Sequence, residues 1–310
     1  MEVIFTENLT KHYGKIQALQ DLNLKVEKGH CVGFLGPNGA GKSTTIKILC
    51  GLIRPTKGKA YINGYDVIKE TTKVLKDVGA IVETPEFYPY LTPKEILSYL
   101  GKIRGIPDHE LEERIRHVLQ MVKLSEWMNT KIGKFSRGMK QRLGLAQAIL
   151  HEPATLILDE PALGLDPRGT YEIREIIKEM VKEGKTVFLA SHMLREVQEL
   201  CDSVALINKG ILLAYDTIDN LEEIFKTRKV QVKLLKPLKN REVKKIGKIN
   251  GVHQVSVNGQ NLTISFEGDE AEQAEILNAL VKNLNLQVVS FSPSLEALED
   301  LYLKLIKEGN

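Results

Sequence analysis

The run Cys31-Val32-Gly33-Phe34-Leu35-Gly36-Pro37-Asn38-Gly39-Ala40-Gly41-Lys42-Ser43-Thr44-Thr45-Ile46-Lys47-Ile48-Leu49 decides how this chain is read. Its first five residues have the character of a buried strand, and Lys42–Leu49 reads as a helix. Between them, residues 36–44 match G-x-x-x-x-G-K-S/T with an extra glycine at 39. That is the strand-to-helix setting the pattern requires. A string of phosphates needs many donors at close range. Glycines let successive backbone N–H groups converge, because no Cβ blocks the approach. The helix that starts near Lys42 aims its positive end at the same point. Lys42 adds a full charge for the β- and γ-phosphates, and the Ser43 hydroxyl is suited to Mg²⁺. The candidate nucleotide-binding residues here are Gly36, Pro37, Asn38, Gly39, Ala40, Gly41, Lys42, Ser43 and Thr44.

A second element, Thr155-Leu156-Ile157-Leu158-Asp159-Glu160-Pro161, runs a mostly apolar stretch into two adjacent carboxylates. Neighbours in a strand point to opposite faces, so Asp159 and Glu160 are expected to have different tasks. One belongs in a Mg²⁺ shell, and the other faces an attacking water as general base.

Outward from these motifs, the first 220 or so residues alternate strand-like and helix-like segments. Strands are expected at 3–7, 22–26, 78–83, 155–159, 186–190 and 203–208. Helices are expected at 93–103, 110–122, 138–150, 168–183 and 194–200. The alternation predicts a largely parallel sheet covered by helices, with the opening strands forming an antiparallel flap. After Phe225 the pattern changes to strand, helix, strand, an Asn258-Gly259-Gln260 turn, strand, helix, strand. This is the order of a split βαβ, ferredoxin-like α+β unit. The expected division is therefore 1–225 and 226–310, with a helical subdomain at about 84–150. A last amphipathic helix is expected at 294–307.

The chain has 310 residues, of which 43% are hydrophobic and 27% charged. That balance excludes collagen-like, disordered and coiled-coil proteins. Its 43 basic and 40 acidic side chains nearly cancel, leaving +3, so no polyanion-coating role is indicated. Cys31, Cys50 and Cys201 are widely spaced and read as buried thiols rather than a disulfide framework or zinc site. The opening residues lack a basic stretch followed by an apolar core, so no signal peptide is expected. No apolar run approaches the roughly 18 residues of a membrane span. His12, His30, His109, His117, His151 and His253 lack metal-type spacing. Trp127 is expected in the core, and the basic stretch 226–245 as a solvated face.

Phe135-Ser136-Arg137-Gly138-Met139 lies about twenty residues before Asp159. It resembles the Leu-Ser-Gly-Gly-Gln signature of the ATP-binding cassette (ABC) ATPases, which are P-loop NTPases with a RecA-like core. Further motifs of that family follow in order over residues 1 to about 220. Tyr13 is similar to the aromatic that stacks on adenine, Ala162–Pro167 to the D-loop, and Ser191-His192 to the switch histidine. The resemblance implies that Glu160 is the general base, that Asp159 is a Mg²⁺ carboxylate and that His192 contacts the γ-phosphate. It implies ATP and Mg²⁺ as ligands. It also implies that Ser136, Arg137, Gly138 and Asp166 complete the site of a second copy, head to tail.

Three positions depart from the family pattern. Glu83 stands where a glutamine metal ligand is usual, which adds negative charge near the γ-phosphate. Arg137 replaces a signature glycine, and Met139 the signature glutamine. The stretch 83–93, with Phe87, Tyr88 and Tyr90, resembles ATPase subunits of bacterial and archaeal drug and peptide-antibiotic exporters, as does the closing sequence 294–303. The implied function is ATP hydrolysis that drives export through separately encoded transmembrane permease subunits, at the inner face of the cell membrane. No nucleic-acid partner is expected. A soluble ABC ATPase acting on nucleic acid or ribosomes is the alternative reading. Tandem cassettes, long coiled-coil arms or an iron–sulfur domain would favour it, and the sequence has none of these.

Overall fold

A computed structural model describes residues 2–224, 227–238 and 240–293. The chain divides into two compact units, Met1–Asp216 and Thr217–Asn310.

In the first unit the strands are β1 (Glu2–Tyr13), β2 (Ile16–Glu27), β3 (Cys31–Leu35), β4 (Lys57–Ile62), β5 (Tyr65–Asp66), β6 (Val78–Ile81), β7 (Thr155–Asp159), β8 (Thr186–Ser191), β9 (Ser203–Asn208) and β10 (Ile211–Thr217). The helices are α1 (Lys42–Leu49), α2 (Thr71–Lys76), α3 (Pro93–Ile103), α4 (Asp108–Met121), α5 (Arg137–Ile149), α6 (Pro167–Lys182) and α7 (Leu194–Leu200). The central sheet has the order β10-β9-β3-β8-β7-β6, and β9, β3, β8, β7 and β6 run parallel. β3, β7 and β8 are buried at every residue. Their continuous apolar runs are those of parallel strands covered on both faces. Their carboxyl ends gather on one edge of the sheet, where open α/β sheets place their ligands.

The expected flap is a second sheet, β2-β1-β4-β5, with antiparallel pairing throughout. β1 and β2 are much longer than expected, and β4, β5, β10 and α2 were not anticipated. The three helices between β6 and β7 are α3, α4 and α5, and Leu97, Ile115, Leu119 and Leu143 join them to the core beneath the sheet. α3 opens with a capping box in which Thr92 and Glu95 each accept from the other's backbone N–H. Trp127 is not a core residue. It is 42% exposed, with its ring edge-on to Phe135.

The second unit contains α8 (Ile218–Ile224), β11 (Thr227–Leu234), α9 (Asn240–Ile246), β12 (Val252–Asn258), β13 (Asn261–Glu267), α10 (Glu270–Asn278) and β14 (Val288–Pro293). Its sheet order is β12-β13-β11-β14, each neighbouring pair antiparallel. This is the split βαβ topology read from the sequence. Alternate residues Val230, Val232 and Leu234 on β11 and Leu262, Ile264 and Phe266 on β13 form its core with Ile246, Ile276 and Leu280. Gly259, at φ +61°, turns β12 into β13. The helix expected at 294–307 lies outside the described residues. Among those described, no helix is long and apolar enough to cross a membrane.

Candidate active site

Three strand ends build the site. β3 leads into the 36–44 loop and α1, β7 ends at Asp159, and β8 ends at Ser191. Because β8 lies between β3 and β7, His192 emerges between the loop and the two carboxylates.

The loop is shaped by two glycines. Gly41 caps α1 at φ +110°, and a Cβ there would come within 2.7 Å of the Ala18 carbonyl. A Cβ on Gly36 would meet the Ile207 carbonyl at 2.3 Å. Asn38, Gly39 and Ser43 line the exposed side, and a Cβ on Gly39 would meet nothing within 4 Å. The cradle is therefore closed behind and open in front. Pro37, Ala40 and Thr44 complete the turn, with the Ala40 N–H donating to the Pro37 carbonyl at 3.1 Å.

Lys42 is 6% exposed. Its Nζ donates to the carbonyls of Gly36 at 2.7 Å and Pro37 at 3.2 Å, and lies 3.3 Å from Glu160 Oε1. The other oxygen, Glu160 Oε2, is 2.7 Å from His192 Nδ1. Glu160 thus bridges the loop lysine and the β8 histidine. Its backbone holds φ +48°, and its N–H donates to the Ala190 carbonyl at 3.0 Å. The two acids part because the strand ends at Asp159 and the chain turns left-handed at the next residue.

Asp159 is 5% exposed. Burial pushes its carboxyl above the usual range, opposed by the Ser43 hydroxyl that bonds it and by Lys42. Its Oδ1 is buried without a hydrogen-bond partner in the protein. A buried carboxylate oxygen left open beside a hydroxyl fits an oxygen-loving divalent cation that draws its other ligands from phosphate and water. Among the described residues no group of three or more His, Cys, Asp or Glu is placed to hold a metal unaided.

β6 stops at Ile81, and Glu83 has φ +67°. Its Oε1 is 2.5 Å from Lys47 Nζ on α1, so the carboxylate is engaged by a lysine. Tyr13, at the end of β1, is 46% exposed with Lys11 Nζ 5.0 Å from its ring centre. Ser136 is the N-cap of α5 and accepts from the Met139 N–H at 3.2 Å. The helix begins at Arg137, so Gly138 lies inside its first turn rather than at its start. The Arg137 guanidinium packs on Gly164, where a Cβ would sit 2.4 Å from its nitrogen. Asp166 caps α6 by accepting from the Gly169 N–H at 3.1 Å.

Glu196 was missed in the sequence. It is 2% exposed, and its Oε2 accepts from the Ser191 hydroxyl at 2.5 Å. Ser191 Oγ in turn accepts from the Met193 N–H at 3.0 Å. The two bonds close a ring around the backbone that carries His192. Burial pushes the Glu196 carboxyl up. A carboxylate four positions after His192, between Leu194 and Val197 of a buried helix stripe, was the available signal.

A glycine loop over a helix terminus, its lysine, a hydroxyl against a buried aspartate and a glutamate–histidine pair define a P-loop nucleotide hydrolase. The family model for ABC transporters matches residues 19–163. The bacitracin transport ATP-binding protein BcrA of Bacillus licheniformis is 39% identical over 308 residues, covering 99% of this chain and 98% of the relative. The linearmycin resistance ATP-binding protein LnrL of Bacillus subtilis is 39% identical over 215 residues, 69% of each chain. Among solved structures, an ATP-binding subunit of an ABC transporter superposes with a TM-score of 0.66 at 33% identity, covering 72% of this chain and 93% of that one. A dimeric cassette in a post-hydrolysis state, bound to ADP and Pi, gives 0.63 at 26% identity, covering 69% and 98%. The chain belongs to the ATP-binding subunits of ABC transporters, and it is an ATPase.

Proposed function

We propose that this chain powers an exporter. Two copies close head to tail on ATP, and separate transmembrane permease subunits carry the cargo. The observation that carries the catalytic half is the Lys42–Glu160–His192 chain of contacts, with Asp159 and Ser43 beside it. Lys42, freed from the Gly36 and Pro37 carbonyls, turns to the β- and γ-phosphates. Ser43 and Asp159 hold Mg²⁺, which when bound neutralises charge on the phosphate oxygens. Glu160 then accepts a proton from the attacking water, and His192 orients the γ-phosphate beside it. Tyr13 offers its exposed face to the adenine. Ser136, Arg137 and Gly138 of one copy, at the N-terminus of α5, and Asp166, at that of α6, complete the site of the other.

The export direction and the membrane partner rest on the BcrA and LnrL relatives and on exposed Tyr88 and Tyr90. Their rings lie 5.6 Å apart on the 84–92 loop, while Phe87 is half-buried and packs against the core. The chain would then sit at the inner face of the membrane without entering it. Those relatives support transport over the nucleic-acid alternative. Ser136→Arg should block the ATP-induced dimer. An unchanged dimer mass in light scattering would refute the head-to-tail arrangement. Purification in mild detergent should bring down a multi-span partner, and only soluble or nucleic-acid companions would refute the export reading.

A further inference from the structure

Lys47 and Glu83 have no part in the roles above. Lys47 follows Ser43 by four residues on α1, so the two share a helix face. Its Nζ lies 2.5 Å from Glu83 Oε1. Lys47 is also within electrostatic reach of Tyr13 and Asp159, which puts it at the edge of the nucleotide cradle. The bond to Lys47 lowers the Glu83 carboxyl, and the same bond raises Lys47. Glu83 presents its carboxylate to α1 from a left-handed turn just past β6. A bare carboxylate there would repel a triphosphate and compete for its metal. A carboxylate closed by an ammonium is neutral as a pair, as an amide is.

We propose that Lys47 is the dedicated counter-ion of Glu83, and that the pair stands as one neutral unit beside the nucleotide, withholding Glu83 from the metal. The proposal rests on the nucleotide site argued above. It assigns Lys47 a positioning role and takes Glu83 out of the metal shell, leaving Ser43 and Asp159.

The test is a double-mutant cycle read by nucleotide affinity. Lys47→Met, Glu83→Gln, their double variant and Glu83→Ala are titrated with a non-hydrolysable ATP analogue by calorimetry, with Mg²⁺ and with EDTA. Glu83 is exposed and Lys47 partly so, so neither substitution opens a core cavity. Lys47→Met should weaken binding about fivefold in the native background, because the repulsion it unmasks acts through a high effective dielectric. In the Glu83→Gln background the same change should be less than about twofold. Glu83→Ala, which unlike glutamine leaves no side-chain oxygen for a metal, should leave the Mg²⁺-dependent gain in affinity unchanged. Equal losses in both backgrounds would mean that Lys47 serves the phosphates directly, which overturns the pairing. Loss of most of the Mg²⁺ gain in Glu83→Ala would make Glu83 a metal ligand, which also overturns it. A native chain that binds no analogue removes the site reading and the pair together, whereas binding with additive losses removes the pair alone.

Discussion

Helix α1 carries two lysine–glutamate pairs that differ in almost everything but chemistry. Lys42 and Glu160, with side chains 6% and 15% exposed, meet at its first turn. Lys47 and Glu83, 32% and 66% exposed, meet just over a turn later. In the first, both charges have left water and are held by several partners at once: two carbonyls on the lysine and a histidine on the glutamate. Breaking such a pair leaves a buried charge uncompensated. In the second, water screens both charges, and the pair adds little to folding. Burial makes the first a reactive arrangement. The second stays a matter of local charge.

The comparison breaks most visibly at Glu160. Glu160→Gln keeps the shape and removes the proposed base, so turnover should fall about a thousandfold with ATP binding retained. Full turnover in single-cycle assays would move the base elsewhere. Lys42→Met is next. It removes the proposed charge-assisted contact to phosphate and should weaken nucleotide binding by about a hundredfold, seen in the same calorimetry. An effect no larger than that of Lys47→Met would erase the distinction between the two pairs.

Glu196 sharpens the comparison, since it is a buried acid without a cation bonded to it. Glu196→Ala opens the ring around His192 and should lower kcat about tenfold with nucleotide affinity intact, while Glu196→Gln keeps an acceptor for Ser191 and should stay near the native rate. Equal losses in both variants would refute positioning through that hydrogen bond. The smallest effect isolates burial away from the chemistry. His151, between Arg104 and the Val78 carbonyl, is held by burial at a pKa of about 4 against 6.5 for a free side chain. The unfolded chain takes up this proton near pH 6.5 and the folded chain only near 4, so stability is fully present above 6.5 and is lost as pH falls through that window. His151→Gln should flatten the fall in Tm between those limits, and an unchanged curve would count against it.

What could be read in the sequence was what the chain builds locally. The 36–44 loop, α1, β7 and the split βαβ order are contiguous patterns, and each formed where periodicity and turn residues put it. Asp159 and Glu160 were legible as a divided pair, although the division comes from a backbone turn at 160 rather than from strand alternation. Partners set by tertiary packing were not legible. Lys47 and Glu83 lie on different elements, and nothing in either neighbourhood names the other. Strand β4, Lys57-Gly58-Lys59-Ala60-Tyr61-Ile62, is too polar to announce itself and becomes a strand by pairing with β1. Trp127 was expected inside on residue type alone, and the short 3₁₀ turn Ser125–Trp127 keeps it half in water.

The left-handed backbone at Glu160 has a consequence for anyone who evolves or engineers this protein. A side chain at φ +48° strains the chain by about 1 kcal/mol, which asparagine relieves. Asparagine would also leave the buried Lys42 ammonium without its carboxylate, at about 3–5 kcal/mol, which outweighs the strain it relieves. A screen that rewards heat resistance alone would therefore hold glutamate at 160 without ever asking for turnover. The residue is kept twice over, by the charge it covers and by the chemistry proposed for it.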